Sequence, residues 1–379
     1  MKRILVISFS DIEFDARVTR QITWLQEISE ITCLCFAPNP NLNNIDWKII
    51  QQTPLLPHRK ILLAVTLFLR FYKLAYRIQH NYRKQVKDLK LEQFDWVFAN
   101  DIESLPLAFQ IKARTSTKIY FDAHEYAPRH FEDKLWWKLL FAPWYNHLCK
   151  NLIPKVNVMT TVSNGLAEEY QRNFGIKPHI ITNATKYHEL QTTEVNSPIK
   201  LIHHGIINKS RKIENMLRVM EILGKDYELD LILMLPEYAS KDTQSYFMEL
   251  SSQIEKIENV KLIGAMSNKE IVPFINKYDI GLFLLEPVNF NYTHALPNKL
   301  FDFIQARLAI AIGPSVEMAH YVKKYNLGFV SSSFEPEDLA QEIISAENYD
   351  IRRFKENSHS IAYELSEEAN RTLVQSLIN

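Results

Sequence analysis

The sequence predicts an α/β protein of two doubly wound, Rossmann-like parallel-sheet domains facing a central cleft. Three observations lead there. Apolar strand-like runs alternate with amphipathic helical runs along most of the chain, the pattern of a parallel sheet covered on both faces. The alternation stops at the polar stretch 185–198, "TKYHELQTTEVNSP", and then restarts, as a linker would make it do. The length of 379 residues exceeds what one ordinary core organises.

In chain order, "RILVIS" (3–8) precedes the helical "ARVTRQITWLQEI", and "ITCLCFA" (31–37) follows. "WVFAN" (96–100), "KIYFDA" (118–123), "VMTTVS" (158–163) and "HIITNA" (179–184) complete the first set of strands. The second set is "KLIHHG" (200–205), "LDLILMLP" (229–236), "VKLIGA" (260–265), "DIGLFLL" (279–285), "LAIAIG" (308–313) and "GFVSS" (328–332). The expected boundaries are 1–187 and 198–363, with 364–379 as a C-terminal helix packing back toward the first domain.

Composition narrows the function. Lys+Arg and Asp+Glu are both 44, so no overall basic excess points to nucleic acid. The cysteines Cys33, Cys35 and Cys149 are too few and too poorly spaced for a disulfide framework or a zinc site, and read as buried free thiols. The start "MKRILVISFS" runs directly into acidic "DIEFD" and reads as a first strand, not a signal peptide. The longest apolar run, 61–69, falls well short of the roughly 20 residues that span a bilayer, so a cytoplasmic location is expected. Only eight glycines occur, and neither a Walker sequence nor a G-x-G-x-x-G is present. Phosphate binding must therefore use helix starts and cations.

Five polar stretches fall near carboxyl ends of these strands, where doubly wound sheets hold ligands. "DARVTRQ" carries Asp15, Arg17 and Arg20; it also reads as a solvated helix face behind an acidic start. "VFANDIES" carries Asn100 and Asp101, a site or a capping pair. "YFDAHEYAP" carries Asp122, His124 and Glu125. His124 there is suited to shuttling a proton or bonding a substrate hydroxyl, and three polar groups at one strand end favour function over capping. In "IHHGIINKSRKIENM" a strand ends at Gly205, Arg211 and Lys212 open a helix, and Glu214 follows. Two such cations suit a diphosphate, or form a charged surface loop. "ALPNKLFDF" (295–303) places Pro297, Asn298 and Lys299 at a helix start, whose unpaired N–H groups attract anions. Asp302 lies one turn on and can accept ribose hydroxyls; the plain alternative is an i,i+3 ion pair worth about 0.2–0.5 kcal/mol.

Taken together, these stretches resemble glycosyltransferase family 4-like enzymes of the GT-B fold, and more narrowly the bacterial polysaccharide-assembly branch with an LPNKLFEY-type motif. "FDARVTRQITWL", "FANDIESL", "YFDAHE", "TTVSNGLAEEY", "IITNA", "HGIINKSRKIE", "NKYDIGLFLLEP" and "ALPNKLFDF" occur in the family's order. The resemblance implies transfer of a glycosyl group, with retention, from a nucleotide-diphosphate sugar as co-substrate, without a metal or other cofactor. The acceptor would be a growing cell-surface glycan of capsule, O-antigen or lipopolysaccharide type, including lipid-linked ones. Donor binding falls to the second domain, at Gly205, Arg211, His294, Pro297, Asn298, Lys299 and Asp302. Acceptor binding falls to the first, at Asp15, Arg17, Asn100, Asp101, Asp122 and Glu125. Arg211 and Lys299 would neutralise the diphosphate, and His124 would stand beside the transferred sugar, which makes these three the catalytic set. The sequence departs from the family at Lys212 and Arg307, where relatives carry Gly, at Asp302, where they carry Glu, and at His294, where many carry Glu. A nucleotide-sugar epimerase of GT-B fold and a catalytically silent nucleotide-sugar-binding subunit are the alternatives.

Two further segments, 57–87 and 134–148, intersperse Lys and Arg with Leu, Phe, Tyr and Trp. They read either as core-packed helices with a solvated face or as peripheral membrane contacts at the inner face of the plasma membrane.

Overall fold

A computed structural model describes residues 1–51, 55–80, 94–113, 115–236 and 239–379, without the side chain of Asn268. The chain forms two compact units, Met1–Thr182 with Asn289–Asn291 and Arg371–Asn379, and Asn183–Val288 with Tyr292–Asn370.

The first unit is built on seven strands: β1 (Lys2–Ile7), β2 (Ser29–Cys35), β3 (Ile45–Ile49), β4 (Trp96–Asn100), β5 (Lys118–Ala123), β6 (Val158–Thr161) and β7 (His179–Ile180). Their order is β3-β2-β1-β4-β5-β6-β7 and every pairing is parallel. The strand order reverses between β1 and β4, which opens a crevice at their carboxyl ends. Four helices matter below: α1 (Ala16–Gln26), α2 (Pro57–Phe68), α3 (Tyr72–Gln79) and α4 (Asp101–Lys112). Strand β3, "IDWKI", has no counterpart among the expected strands. It is a half-exposed edge strand, so it lacks the continuous apolar run that marks the buried ones.

The second unit has β8 (Ile199–Ile206), β9 (Tyr227–Met234), β10 (Val260–Ile263), β11 (Ile280–Phe283), β12 (Ala309–Ile312) and β13 (Gly328–Val330). Their order is β10-β9-β8-β11-β12-β13, again all parallel, with the reversal between β8 and β11. The stretch 185–198 has no helix or strand before Ser197, yet it is strapped to this unit. Asn196 N donates to Asp279 Oδ1 and Oδ2 at 3.2 Å, and His188 N donates to Gln305 Oε1 at 3.2 Å. Asp279, fully buried, also faces Lys355 Nζ at 3.1 Å. The second unit therefore begins at Asn183, upstream of the polar stretch.

The ends of the chain follow the same division. Val374 and Ile378 of the last helix, Glu367–Ile378, join the core that holds Ile4, Val6, Val18 and Ile22. Asn289–Asn291 also belongs to the first unit, where Asn291 Oδ1 accepts Tyr126 N at 2.8 Å and Glu132 Oε1 accepts Phe290 N at 2.7 Å. The three cysteines are buried and free.

Helix packing on the second sheet needs a bare backbone at Gly281 of β11. A Cβ there would sit 2.3 Å from the Phe303 ring. Gly281→Ala should cost about 1–3 kcal/mol through overpacking, read as a lowered urea midpoint with an unchanged m-value.

Candidate functional site

In the first unit a cavity of about 390 Å³ lies at the carboxyl ends of β1, β4 and β5, lined among others by Ser8, Asn100, Asp101, Glu103, His124 and His130. The expected acceptor-side residues divide into supports and lining. Asp15 is the N-cap of α1: its Oδ1 accepts Val18 N at 3.0 Å and its Oδ2 accepts Ser10 Oγ at 2.7 Å. Arg17 lies neither on a solvated face nor in the cavity. It is buried against Asp122, with Nε to Oδ2 at 2.8 Å and Nη2 to Oδ1 at 2.6 Å, and Nη1 donates to Ile181 O at 2.8 Å. Arg20, one turn on, is partly buried.

Asp122 also accepts Thr160 Oγ1 at 2.6 Å. Burial pushes its carboxyl pKa up, but Arg17 and His124 outweigh that and hold it far below the usual carboxylate range. Asn100 donates from Nδ2 to Gln21 Oε1 at 3.0 Å, and Gln21 Nε2 reaches Asp122 at 3.4 Å. It supplies no cap bond to α4; its Oδ1 is buried without a partner.

His124 follows β5 and sits between two carboxylates, Nδ1 3.3 Å from Asp101 Oδ2 and Nε2 3.6 Å from Asp122 Oδ2. Burial alone would lower its pKa; Asp101 and Asp122 overcome this and raise it to about 10. A ring held as a cation at neutral pH is no proton-accepting base, so the proton-shuttle expectation gives way to a fixed positive charge at the cavity. Asp101, the other half of the pair, has the left-handed φ of 60°, a conformation that costs energy outside glycine but that Asp adopts more readily than most residues. Glu125 pairs with His130, Oε2 to Nε2 at 3.0 Å. Sequence reasoning missed His130, Glu103 and Ser8 as lining residues. His130 follows an irregular turn, and no periodicity signals it.

In the second unit the expected donor residues converge at the carboxyl end of β8. Gly205 has φ 141°, and a Cβ there would fall 2.4 Å from Lys299 Nζ and 3.4 Å from Arg211 Nη1. The two cations therefore meet over a bare backbone. Lys299 comes from the first turn of the helix Asn298–Gln305, with Pro297 as its N-cap and Asn298 as its first residue. Leu296 before the helix and Phe301 within it share one core, the arrangement of a hydrophobic staple. Lys299 is buried. Burial lowers its pKa well below the usual value, Arg211 lowers it further, and Asp302 opposes them. Burial likewise lowers the Arg211 pKa, and its Nη1 donates to Ile206 O at 2.9 Å. Asp302 lies 3.5 Å from His204 Nε2. Burial, with Lys299 and Arg211 nearby, pushes the His204 pKa down to about 3, so the ring is neutral. His204 is a further residue the sequence reading passed over; it stands within a buried strand and reads as core.

Lys212 corrects an expectation. Its Nζ turns to Glu286 Oε2 at 2.5 Å, and Asn215 Nδ2 donates to the same carboxylate at 2.7 Å, so Arg211 and Lys212 do not act as a pair. Glu214 accepts Tyr246 Oη at 2.5 Å. His294 faces Glu317, Nδ1 to Oε1 at 3.1 Å. Lys212 and Arg307 both have left-handed backbones, with φ 45° and 62°. Arg307 is fully buried and donates to Gln305 O at 2.6 Å and His188 O at 2.6 Å. It thus clamps the 185–198 strap.

Residues 30–186 match the family model described as Glycosyltransferase Family 4. No curated protein matches. Among solved structures, the chain is similar to a sucrose-phosphate synthase from Thermosynechococcus elongatus, with TM-score 0.70 and 13% identity over 100% of this chain and 98% of that one. It is similar to a trehalose-6-phosphate protein from E. coli bound with UDP-2-fluoro glucose, with TM-score 0.69 and 10% identity over 100% and 99%. It is also similar to S. aureus TarM in complex with UDP and glycan ligands, with TM-score 0.59 and 12% identity over 78% of this chain and 58% of that one. The two parallel Rossmann-like sheets, of seven and six strands, have the GT-B fold of these neighbours.

Two outcomes follow from the first unit. Asp122→Asn leaves a buried guanidinium without its counter-charge and should cost about 3–5 kcal/mol, measured by denaturant unfolding. The folded protein keeps the His124 proton to about pH 10, whereas an ordinary histidine loses it near 6.5. The resulting stabilisation is complete below pH 6.5 and is lost as pH rises through about 10. Thermal melts across that range should fall more steeply for the wild type than for His124→Gln.

Proposed function

We propose that the chain is a retaining glycosyltransferase that moves a sugar from a nucleotide-diphosphate donor to a growing cell-surface glycan of capsule, O-antigen or lipopolysaccharide type, including lipid-linked acceptors. The observation that carries this reading is the convergence of Lys299 and Arg211 over Gly205. Two basic side chains, one of them at a helix start, form an anion site with the reach of a diphosphate. The match of residues 30–186 to Glycosyltransferase Family 4, and the UDP ligands named for two neighbours of the same fold, support it.

In this scheme the bond from the sugar's anomeric carbon to the phosphate oxygen breaks, and its electron pair leaves with the phosphate. Lys299, Arg211 and the N–H groups at the start of Asn298–Gln305 face that growing charge, so they stabilise the transition state more than the ground state. The acceptor hydroxyl oxygen forms the new bond on the same face, and its proton passes to the departing phosphate. The countercharge comes from these side chains, without a metal or further cofactor. Asp302 accepts ribose hydroxyls. On the acceptor side Asp101, His124, Glu125 and His130 surround the first-unit cavity, with Asp15, Arg17, Asn100 and Asp122 behind them. His124 acts through its charge and position.

Incubation of the purified protein with a panel of nucleotide sugars tests the reading. Slow release of nucleoside diphosphate with retained sugar configuration is expected; a new epimer, or binding without turnover in the presence of membranes, overturns it. Lys299→Ala should weaken nucleoside diphosphate binding by about 1.5–3 kcal/mol, the worth of a charged hydrogen bond, measured by calorimetry. Gly205→Ala should do the same by displacing the ammonium. Diphosphate binding should also take up protons, because an anion raises the depressed Lys299 pKa; observed heats should then change with buffer ionisation enthalpy. His124→Ala should lower kcat more than it weakens nucleotide binding, and wild-type kcat should show no inflection near pH 6.5.

A further inference from the structure

We propose that the first unit docks on an anionic lipid bilayer surface through α2, α3 and the turn around Leu135–Leu139. Helix α2 buries only Leu63, Thr66 and Leu67 against the core, and α3 only Ala75 and Ile78. Ile61, Leu62, Val65 and Phe68 of α2 and Leu74 of α3 face solvent, while Tyr72 and Tyr76 are half-buried against the core. Ile61, Phe68, Phe71, Leu135, Trp136 and Leu139 are each 52–74% exposed. Such a concentration is far from the scattered exposure of ordinary surfaces. The two segments are distant in sequence, yet α2 packs directly on the turn Trp137–Phe141, so their exposed residues form one patch.

The helices are held as a hairpin. Phe71 N donates to Thr66 O at 2.8 Å and Arg70 N to Leu67 O at 3.0 Å, with Arg70 left-handed at φ 61°; this is a Schellman closure. The loop tip therefore presents Phe68, Leu69 and Phe71 together.

Charge selects the occupant. Residues 57–80 contain five Lys/Arg and 134–148 contain two, and neither stretch contains an Asp or Glu. Arg83 and Lys84, also in the basic segment, lie outside the described residues. Protein interfaces deplete lysine at their centres, whereas helices lying in a lipid headgroup layer combine Lys and Arg with Trp, Phe and Leu. No described helix is long and apolar enough to cross a membrane, so the contact lies in the interface plane. It does not depend on which reaction the protein performs.

Flotation of the full chain with vesicles of phosphatidylcholine, alone or mixed with phosphatidylglycerol, tests the proposal. Binding is expected to the mixed vesicles and to weaken as salt screens the headgroups. Lys60→Gln with Lys73→Gln should lose roughly tenfold or more in affinity. Phe68→Asp with Leu139→Asp should also lose binding, with unchanged melting and unchanged nucleoside diphosphate binding. Absence of binding to mixed vesicles, or equal binding by both double variants, overturns the proposal. So does concentration-dependent self-association that the Asp variant abolishes, which would assign the patch to a second copy of this chain.

Discussion

A lysine and an arginine held side by side over a backbone without a side chain set the terms for the second unit. Lys299 is buried next to Arg211, and both have lowered pKa values from burial. Such a pair is unfavourable unless an anion is the intended partner. The fold holds it with rigid parts: the carboxyl end of β8 supplies Gly205, and a stapled helix start supplies Lys299. In the function proposed above, negative charge arriving there would offset that penalty, as it does in preorganised sites.

The first unit solves the opposite problem. Its charges are balanced before any ligand enters. Arg17 neutralises Asp122, and His124 lies between Asp122 and Asp101. On this side of the cavity the charges are therefore paired within the protein itself. Removal of Arg17 would leave buried Asp122 with less countercharge, whereas Asp101 is half exposed to solvent.

Much of this was legible in the sequence. The strands β1 and β8 through β12 read as apolar runs because both faces of a parallel sheet are covered. The cluster of Gly205, Arg211 and Lys299 was legible because Gly205 lies at a strand end, Lys299 at a helix start, and Arg211 in the short turn that follows the strand. What remained hidden depends on tertiary distance. Arg17 and Asp122 are far apart in the chain, so no local pattern shows that they pair. Lys212 reads as a partner for Arg211 until Glu286 is seen beside it. Arg307 and Lys212 occupy left-handed positions that Gly would fill without strain, and only the hydrogen bonds around Arg307 show what compensates the cost there.

The path of the chain between the two units has a practical meaning. Asn289–Asn291, which the second unit flanks on both sides in sequence, and the last nine residues, Arg371–Asn379, which follow it, belong to the first unit. Neither half is one uninterrupted stretch. A gene fragment ending near Thr182 would omit Asn291, the acceptor for Tyr126 N, and the apolar Val374 and Ile378. A simple cut at the apparent border would therefore leave the N-terminal body without part of its core and one of its backbone hydrogen-bond acceptors.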